Sequence, residues 1–192
     1  MDRQDIQGIQ GIQGEDGGRA APWDAAAALV RAAQDGDALA MDELLALVTP
    51  YVTRLCRPIA PHEVADAVQE SLLAVFKGLR TLRDPRAFYG WVRTATVREA
   101  VRVARRAPAE EPADPADLAR LGGLRADADG ELPADVRDVL ARLPVRHRAV
   151  LVLRELEGLD EATVAGLLGV PQGTVKSRLS RARSSFRKAW SR

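Results

Sequence analysis

The chain has 192 residues, of which 46% are hydrophobic, 29% charged and 4% aromatic, the mixture of a globular protein rich in helix formers. No run approaches the roughly 20 apolar residues that span a bilayer, and no basic segment followed by an apolar one opens the sequence, so the expected place is the cytoplasm, without membrane insertion. A single cysteine, Cys56, excludes an intramolecular disulfide and a multi-cysteine zinc site, and leaves a small buried hydrophobe as its expected role.

The formal net charge of +1 hides strong segregation. Residues 87–106 hold Arg93, Arg98, Arg102, Arg105 and Arg106 against Glu99 alone, and residues 172–192 hold Lys176, Arg178, Arg181, Arg183, Arg187, Lys188 and Arg192 against no acid. Between them, residues 107–131 carry Glu110, Glu111, Asp114, Asp117, Asp127, Asp129 and Glu131 against Arg120 and Arg125. Two basic segments around an acidic connector point to two contacts with a polyanion.

In chain order, residues 1–24 open with an Ile-Gln-Gly repeat over residues 6–14 that offers no packed apolar face, and read as a disordered tail. A short Ala-rich helix is expected over residues 25–34. Asp37 can cap a second helix with Leu44, Leu45, Val48, Val52 and Leu55 at helical spacing, ended by Pro58 and Pro61. A third helix over about residues 62–79 places Val64, Val68, Leu72, Val75 and Phe76 on its inner face, with Gly78 near its stop. Residues 80–85 read as a loop, and a fourth helix over about residues 86–106 carries Phe88, Trp91, Val92, Ala95 and Val101. Prolines, glycines and acids make residues 107–133 a flexible linker. Beyond it come helices over residues 134–143, 145–156 and 161–168 and a long basic one over residues 172–190. The expected fold is therefore all-α: two small helical domains, residues 25–106 and 134–192, joined by an acidic linker.

Residues 160–183, DEATVAGLLGVPQGTVKSRLSRAR, carry the most information. Asp160 is placed as an N-cap, Val164, Leu167 and Leu168 form the buried side of a short helix, Gly169 permits a left-handed turn, and a second helix opens near Pro171. This is a helix-turn-helix. Its second helix buries Val175 and Leu179 and leaves Lys176, Ser177, Ser180, Arg181 and Ser184 on the opposite face, a pattern that fits the major groove, where Arg and Lys bond guanine and Ser contacts several base edges. A merely solvated basic face would carry the same charge, but the Gly turn and the short preceding helix argue against it.

Residues 143–188 closely resemble the C-terminal promoter-binding domain of extracytoplasmic-function (ECF) sigma factors, most specifically in GVPQGTVKSRLSRAR. The resemblance implies an RNA polymerase subunit that directs promoter-specific initiation, with −35 DNA contacts at Thr174, Lys176, Ser177, Arg178, Ser180, Arg181 and Arg183. Ser180 stands where the family often has a bulkier residue. Residues 63–70, EVADAVQE, resemble the family's DAEDLVQE helix with Ala65 in place of the middle acid, which implies docking on the β′ clamp helices of the polymerase core through Asp66, Gln69 and Glu70. The segment after it implies a −10 reader formed by Arg80, Arg83, Arg86, Phe88, Tyr89, Trp91, Arg98 and Arg102, in which aromatics stack on unpaired bases and arginines follow phosphates. Phe88 and Trp91 fit core positions as well, and Arg98 and Arg102 stand where the family commonly has Asn and Asp. The linker of the family threads the active-site cleft, and its acids would be attracted by basic channel walls.

The expected partners are thus the polymerase core, through the β′ clamp helices and the β subunit, and promoter DNA, with an anti-sigma factor as a further candidate; no cofactor and no metal are expected. A homodimeric repressor is the nearest rival and would need a palindromic operator. An enzyme is the remote one: His62 and His147 lie in different domains without metal-ligand spacing, no Gly-rich loop can cradle phosphate, and Cys56 has no identifiable base.

Overall fold

A computed structural model describes residues 22–106 and 132–191, which form helices joined by short turns; the repeat over residues 6–14 and the acids of residues 107–131 lie outside the described residues. Helix α1 spans Pro22–Gln34 and so begins before the expected Ala25, with a proline at its first position, where a missing N–H costs nothing. Asp37 caps α2, Ala38–Ile59, by accepting from the N–H groups of Leu39 at 2.9 Å and Ala40 at 3.1 Å. The helix runs through Pro50 and Pro58 and ends at Ile59, between the two prolines expected to end it. A proline removes one donor but does not end a helix whose next turn is held by burial, and here Leu55, Cys56 and Ile59 are fully buried while the Ala60 N–H closes on the Cys56 carbonyl at 2.8 Å.

Helix α3, Val64–Gly78, packs on α2 and on α4, Phe88–Arg106, and two single 3₁₀ turns, Leu79–Thr81 and Pro85–Ala87, occupy the segment expected as a loop. The Gln34 amide at the end of α1 fixes the first turn, donating to the carbonyls of Leu79 at 2.8 Å and Leu82 at 2.7 Å. Gly78 has a packing role as well as ending α3: a Cβ there would meet the Trp91 ring at 2.9 Å. One expected core position is wrong. Phe76 is 52% exposed, and the buried side of α3 is instead Ala67, Val68, Ser71 and Val75, small enough to bring α3 close to α2, where the Ser71 hydroxyl lies 3.8 Å from the Cys56 sulfur. Cys56 itself is buried, and burial pushes its thiol up to about 12, which leaves it the inert small hydrophobe expected from the sequence.

The second half comprises α5, Ala134–Ala141, α6, Val145–Leu151, extended by a π-turn over Val152–Leu156, α7, Glu161–Leu168, and α8, Gln172–Trp190. Buried residues of both halves join in one continuous core, with α2 and α4 facing α5, α6 and α7. Polar links cross this seam among the described residues. Arg54 meets Glu157 in a fork at 2.8 and 3.3 Å, and Arg148, 4% exposed, donates to the Ile59 carbonyl at 2.9 Å as well as to Ala141 at 3.0 Å and Leu143 at 3.4 Å in its own half. Among the described residues no helix is long and apolar enough to cross a membrane.

Candidate nucleic-acid interface

The helix-turn-helix forms as its punctuation dictates. The Asp160 carboxylate accepts from the Thr163 N–H at 2.9 Å and the Thr163 hydroxyl at 2.8 Å, and these bonds hold its carboxyl below the usual range. Gly169 turns left-handed at φ 63°, ψ 39°, and the Val170 N–H bonds back to the Ala165 carbonyl at 3.1 Å, so the chain leaves α7 without stranding its last carbonyls. Pro171 then opens α8 in extended geometry, with its carbonyl accepting from Thr174 at 2.9 Å. Only Val175, Leu179 and Ala182 of α8 are buried. Lys176, Ser177, Ser180, Arg181 and Ser184 are all exposed on the other face, Thr174 and Arg178 are half-buried at its margin, and Arg183 is exposed but joined to Glu155 at 2.7 Å. α8 packs on α5, α6 and α7 and leaves this face open. A convex helix with a row of hydroxyls, one amine and guanidinium forks can enter a major groove and bond base edges there.

The candidates in the first half are differently placed. Arg80, Arg83 and Arg86 are exposed around the two 3₁₀ turns, Tyr89 and Trp91 are half-buried, and Phe88 lies in the core at 1% exposure, edge-on to Tyr89 and stacked on Trp91. The Phe88 ring therefore offers no face to a base in this arrangement and instead sets the orientation of two rings that are partly open. Arg98 is exposed. Arg102 is engaged: it bonds Glu99 in its own helix and Glu70 of α3 at 2.7 Å, and those two bonds, the one to Glu99 first, raise its guanidinium further above its ordinary value. Arg98 and Arg102 also line an open cleft of about 360 Å³, with Leu167 and Leu168 of α7 lining it from the other half.

Asp66 and Gln69 stand exposed on α3 beside the half-buried Glu70, and Leu73 at 39% and Phe76 at 52% extend that surface with apolar area. Sequence reasoning took Phe76 for core, since hydrophobicity does not say whether a residue faces the chain's own interior or a partner. Arg148 was missed altogether. In the sequence it is one more basic residue of an amphipathic helix, and only the packing of α6 against the end of α2 makes it a buried link.

A model of the family "Sigma-70 region 2" matches residues 41–109, and one of "Sigma-70, region 4" matches residues 134–185. The ECF RNA polymerase sigma-E factor of Haemophilus influenzae is 32% identical over 170 residues, covering 81% of this chain and 90% of its own length. The ECF RNA polymerase sigma factor SigM of Mycobacterium tuberculosis is 32% identical over 160 residues, covering 82% and 81%. Among solved structures, CnrH in complex with the cytosolic domain of CnrY shares the fold at a TM-score of 0.55, with 24% identity and 86% of this chain covered against 96% of its own. The sigma factor RpoE of Bartonella quintana in complex with the anti-sigma factor NepR does so at 0.52, with 21% identity, 77% of this chain and 94% of its own.

Proposed function

We propose a division of labour for this chain on one premise: it belongs to the ECF RNA polymerase sigma factors and directs promoter-specific transcription initiation. The half formed by residues 134–192 reads the −35 element through the open face of α8, with Lys176, Ser177, Ser180 and Arg181 toward the bases and Thr174, Arg178 and Arg183 toward the backbone. The half formed by residues 25–106 docks on the β′ clamp helices through Asp66, Gln69 and Glu70. It captures the unpaired −10 strand with Tyr89 and Trp91 for stacking and Arg80, Arg83, Arg86, Arg98 and Arg102 for the phosphates. The acidic connector, residues 107–133, threads the active-site cleft of the polymerase toward the RNA exit channel. Sigma factors regulate transcription without catalysing it, and in this reading the chain contributes binding groups only. Its place is with the polymerase in the cytoplasm.

The observation that carries this reading is the helix-turn-helix whose second helix presents a basic, hydroxyl-rich and unpartnered face. An anti-sigma factor fits as a further partner, since a similar structure is bound by one. In this arrangement Leu167 and Leu168 of α7 line the same open cleft as Arg98 and Arg102, so a strand following those two arginines passes beside α7. Sequencing transcripts made in vitro by core polymerase with and without this protein tests the reading. Initiation at a defined −10/−35 set only in its presence supports it, whereas strong protection of a palindromic site by the protein alone establishes a dimeric repressor instead.

A further inference from the structure

The last turn of α4, the first turn of α6 and the middle of α8 meet around an open cavity of about 500 Å³, lined by Arg105, Pro144, Val145, Arg146 and Arg178. Its walls come from both halves of the molecule. Three arginines line it, no described acidic residue does, and none of the three makes an ion pair or hydrogen bond with a described residue. The contrast with the rest of the seam is direct, because Arg54 there is matched by Glu157 and Arg148 by three carbonyls. His147 lies next to the cavity with its Nδ1 buried and unpartnered. Burial first, then the charges of Arg146, Arg181 and Arg178, lower its proton affinity. Bringing like charges from two halves around one cavity is unfavourable by Coulomb's law, and an anion placed among them turns that repulsion into attraction. Guanidinium forks match phosphate oxygens in pairs, and a cavity of this size takes more than one phosphate.

We infer that a compact polyphosphate, a di- or triphosphate group, binds in this cavity between Arg105 of the first half and Arg146 and Arg178 of the second. Bound there, it ties α4 to α8 and so stabilises the closed arrangement by mass action. On the −35 reading proposed above it also occupies Arg178, so the loaded protein meets DNA less readily. The same phosphate chemistry is offered by two sources, a free polyphosphate or nucleotide and the backbone of DNA. They differ at Arg105, because a duplex lying on α8 meets Arg146 and Arg178 without needing a residue of α4.

The test is calorimetric titration of the full chain at low salt with inorganic tripolyphosphate and, separately, with a short duplex lacking any promoter element. Parent, Arg105→Gln, Arg146→Gln and Arg31→Gln proteins are compared; all three substituted residues are exposed, and Arg31 on α1 controls for net charge. Circular dichroism verifies folding. Saturable one-to-one tripolyphosphate binding, weakened on the order of tenfold by Arg105→Gln and by Arg146→Gln but not by Arg31→Gln, is the expected result. A rise in the urea midpoint with tripolyphosphate that Arg105→Gln removes is expected beside it. Equal, small losses in all three variants would show diffuse charge and overturn the site. Saturable binding of the duplex alone, indifferent to Arg105, would assign Arg146 and Arg178 to the DNA backbone and overturn it as well. Since binding is measured without polymerase or promoter, failure here leaves the promoter reading intact.

Discussion

Helices α4 and α8 are of equal length, 19 residues, and both are rich in arginine, yet they use it differently. On α8, Lys176 and Arg181 are exposed on a face that no described residue covers, and Arg183 at its margin is paired with Glu155. On α4, Arg102 is bound by Glu99 and Glu70, Phe88 is sealed in the core, and the exposed Arg98 borders an open cleft that α7 lines from the other half. A charge count does not distinguish these cases. What separates them is what packs behind each helix: α8 docks by one narrow row, Val175, Leu179 and Ala182, whereas α4 sits between α3 on one side and α6 and α7 on the other and buries Val92, Thr96, Val97, Ala100, Val101, Val103 and Ala104. On the reading proposed above, the −35 surface is open as it stands, whereas in the −10 surface Arg102 and the Phe88 ring are already engaged within the chain.

The most severe test of that contrast is at the α3 docking surface, where the effect expected is all or none. Reversing charge at Asp66 together with Glu70 abolishes co-elution with core polymerase, while helical content by circular dichroism stays unchanged, because an exposed carboxylate and a partly exposed ion pair contribute little to folding. Glu70 also restrains Arg102, so Asp66→Lys alone separates docking from release of that arginine. Intact co-elution of the double variant would remove α3 from the interface.

Arg148→Met comes next and addresses the seam. The methionine keeps most of the apolar stem but leaves the carbonyls of Ile59, Ala141 and Leu143 without their shared donor, a loss of about 3 kcal/mol in urea unfolding. If the two halves hold each other through this link, amide exchange at the buried Leu167 on the seam speeds up in the same variant. An unchanged midpoint would mean that the buried bonds are replaced by water at no cost and that the seam is loose already.

On the open side, Arg181→Ala costs on the order of 1–3 kcal/mol of −35 binding and relaxes preference at one base pair, whereas Arg183→Ala, with its side chain already shared with Glu155, lowers affinity evenly across sequences. Binding titrations against a panel of single-base −35 substitutions distinguish the two. Parallel losses at both positions would show that Arg181 touches only backbone.

The same contrast explains what could be read in the sequence. The second half was legible almost to the residue, because local punctuation decides it: Asp160 caps, Gly169 turns left-handed, Pro171 reopens a helix, and Val175 with Leu179 sets the buried side. Each of these acts over a few residues, which is the range that sequence patterns cover. In the first half the helices were found but their surroundings were not. Phe76 belongs by spacing to the apolar stripe of α3, yet small Ala67 and Ser71 take the inner side because close approach to α2 selects size over hydrophobicity. Gly78 reads as a helix stop, and only the Trp91 ring lying on it, contributed by a helix a turn and a half-loop away, reveals the packing reason. Arg148 and the Arg54–Glu157 pair depend on partners about 90 and 103 positions distant, beyond any local pattern.

The smallest expected effect sits inside the legible half and isolates the punctuation itself. Asp160 is held below the usual carboxylate range by its bonds to Thr163, so its ionised form is favoured in the folded chain over the unfolded one. For a depressed carboxyl the contribution to stability is complete above the ordinary Asp value and disappears as pH falls through the lower, folded one, that is below about pH 4. At neutral pH, Asp160→Ala therefore melts earlier than the parent, and the gap narrows on acidification until both carry an uncharged residue there. Asp160→Asn keeps an acceptor for the Thr163 N–H but has no charge to titrate, so it falls between them at neutral pH, and its distance from Asp160→Ala stays constant with pH. Thermal melts of the three proteins from neutral pH to pH 3 check this, read as differences between variants because every other carboxylate titrates in the same window. A gap between parent and Asp160→Ala that does not change across that range would show that the cap acts through its hydrogen-bond geometry alone and that its charge adds nothing to the start of α7.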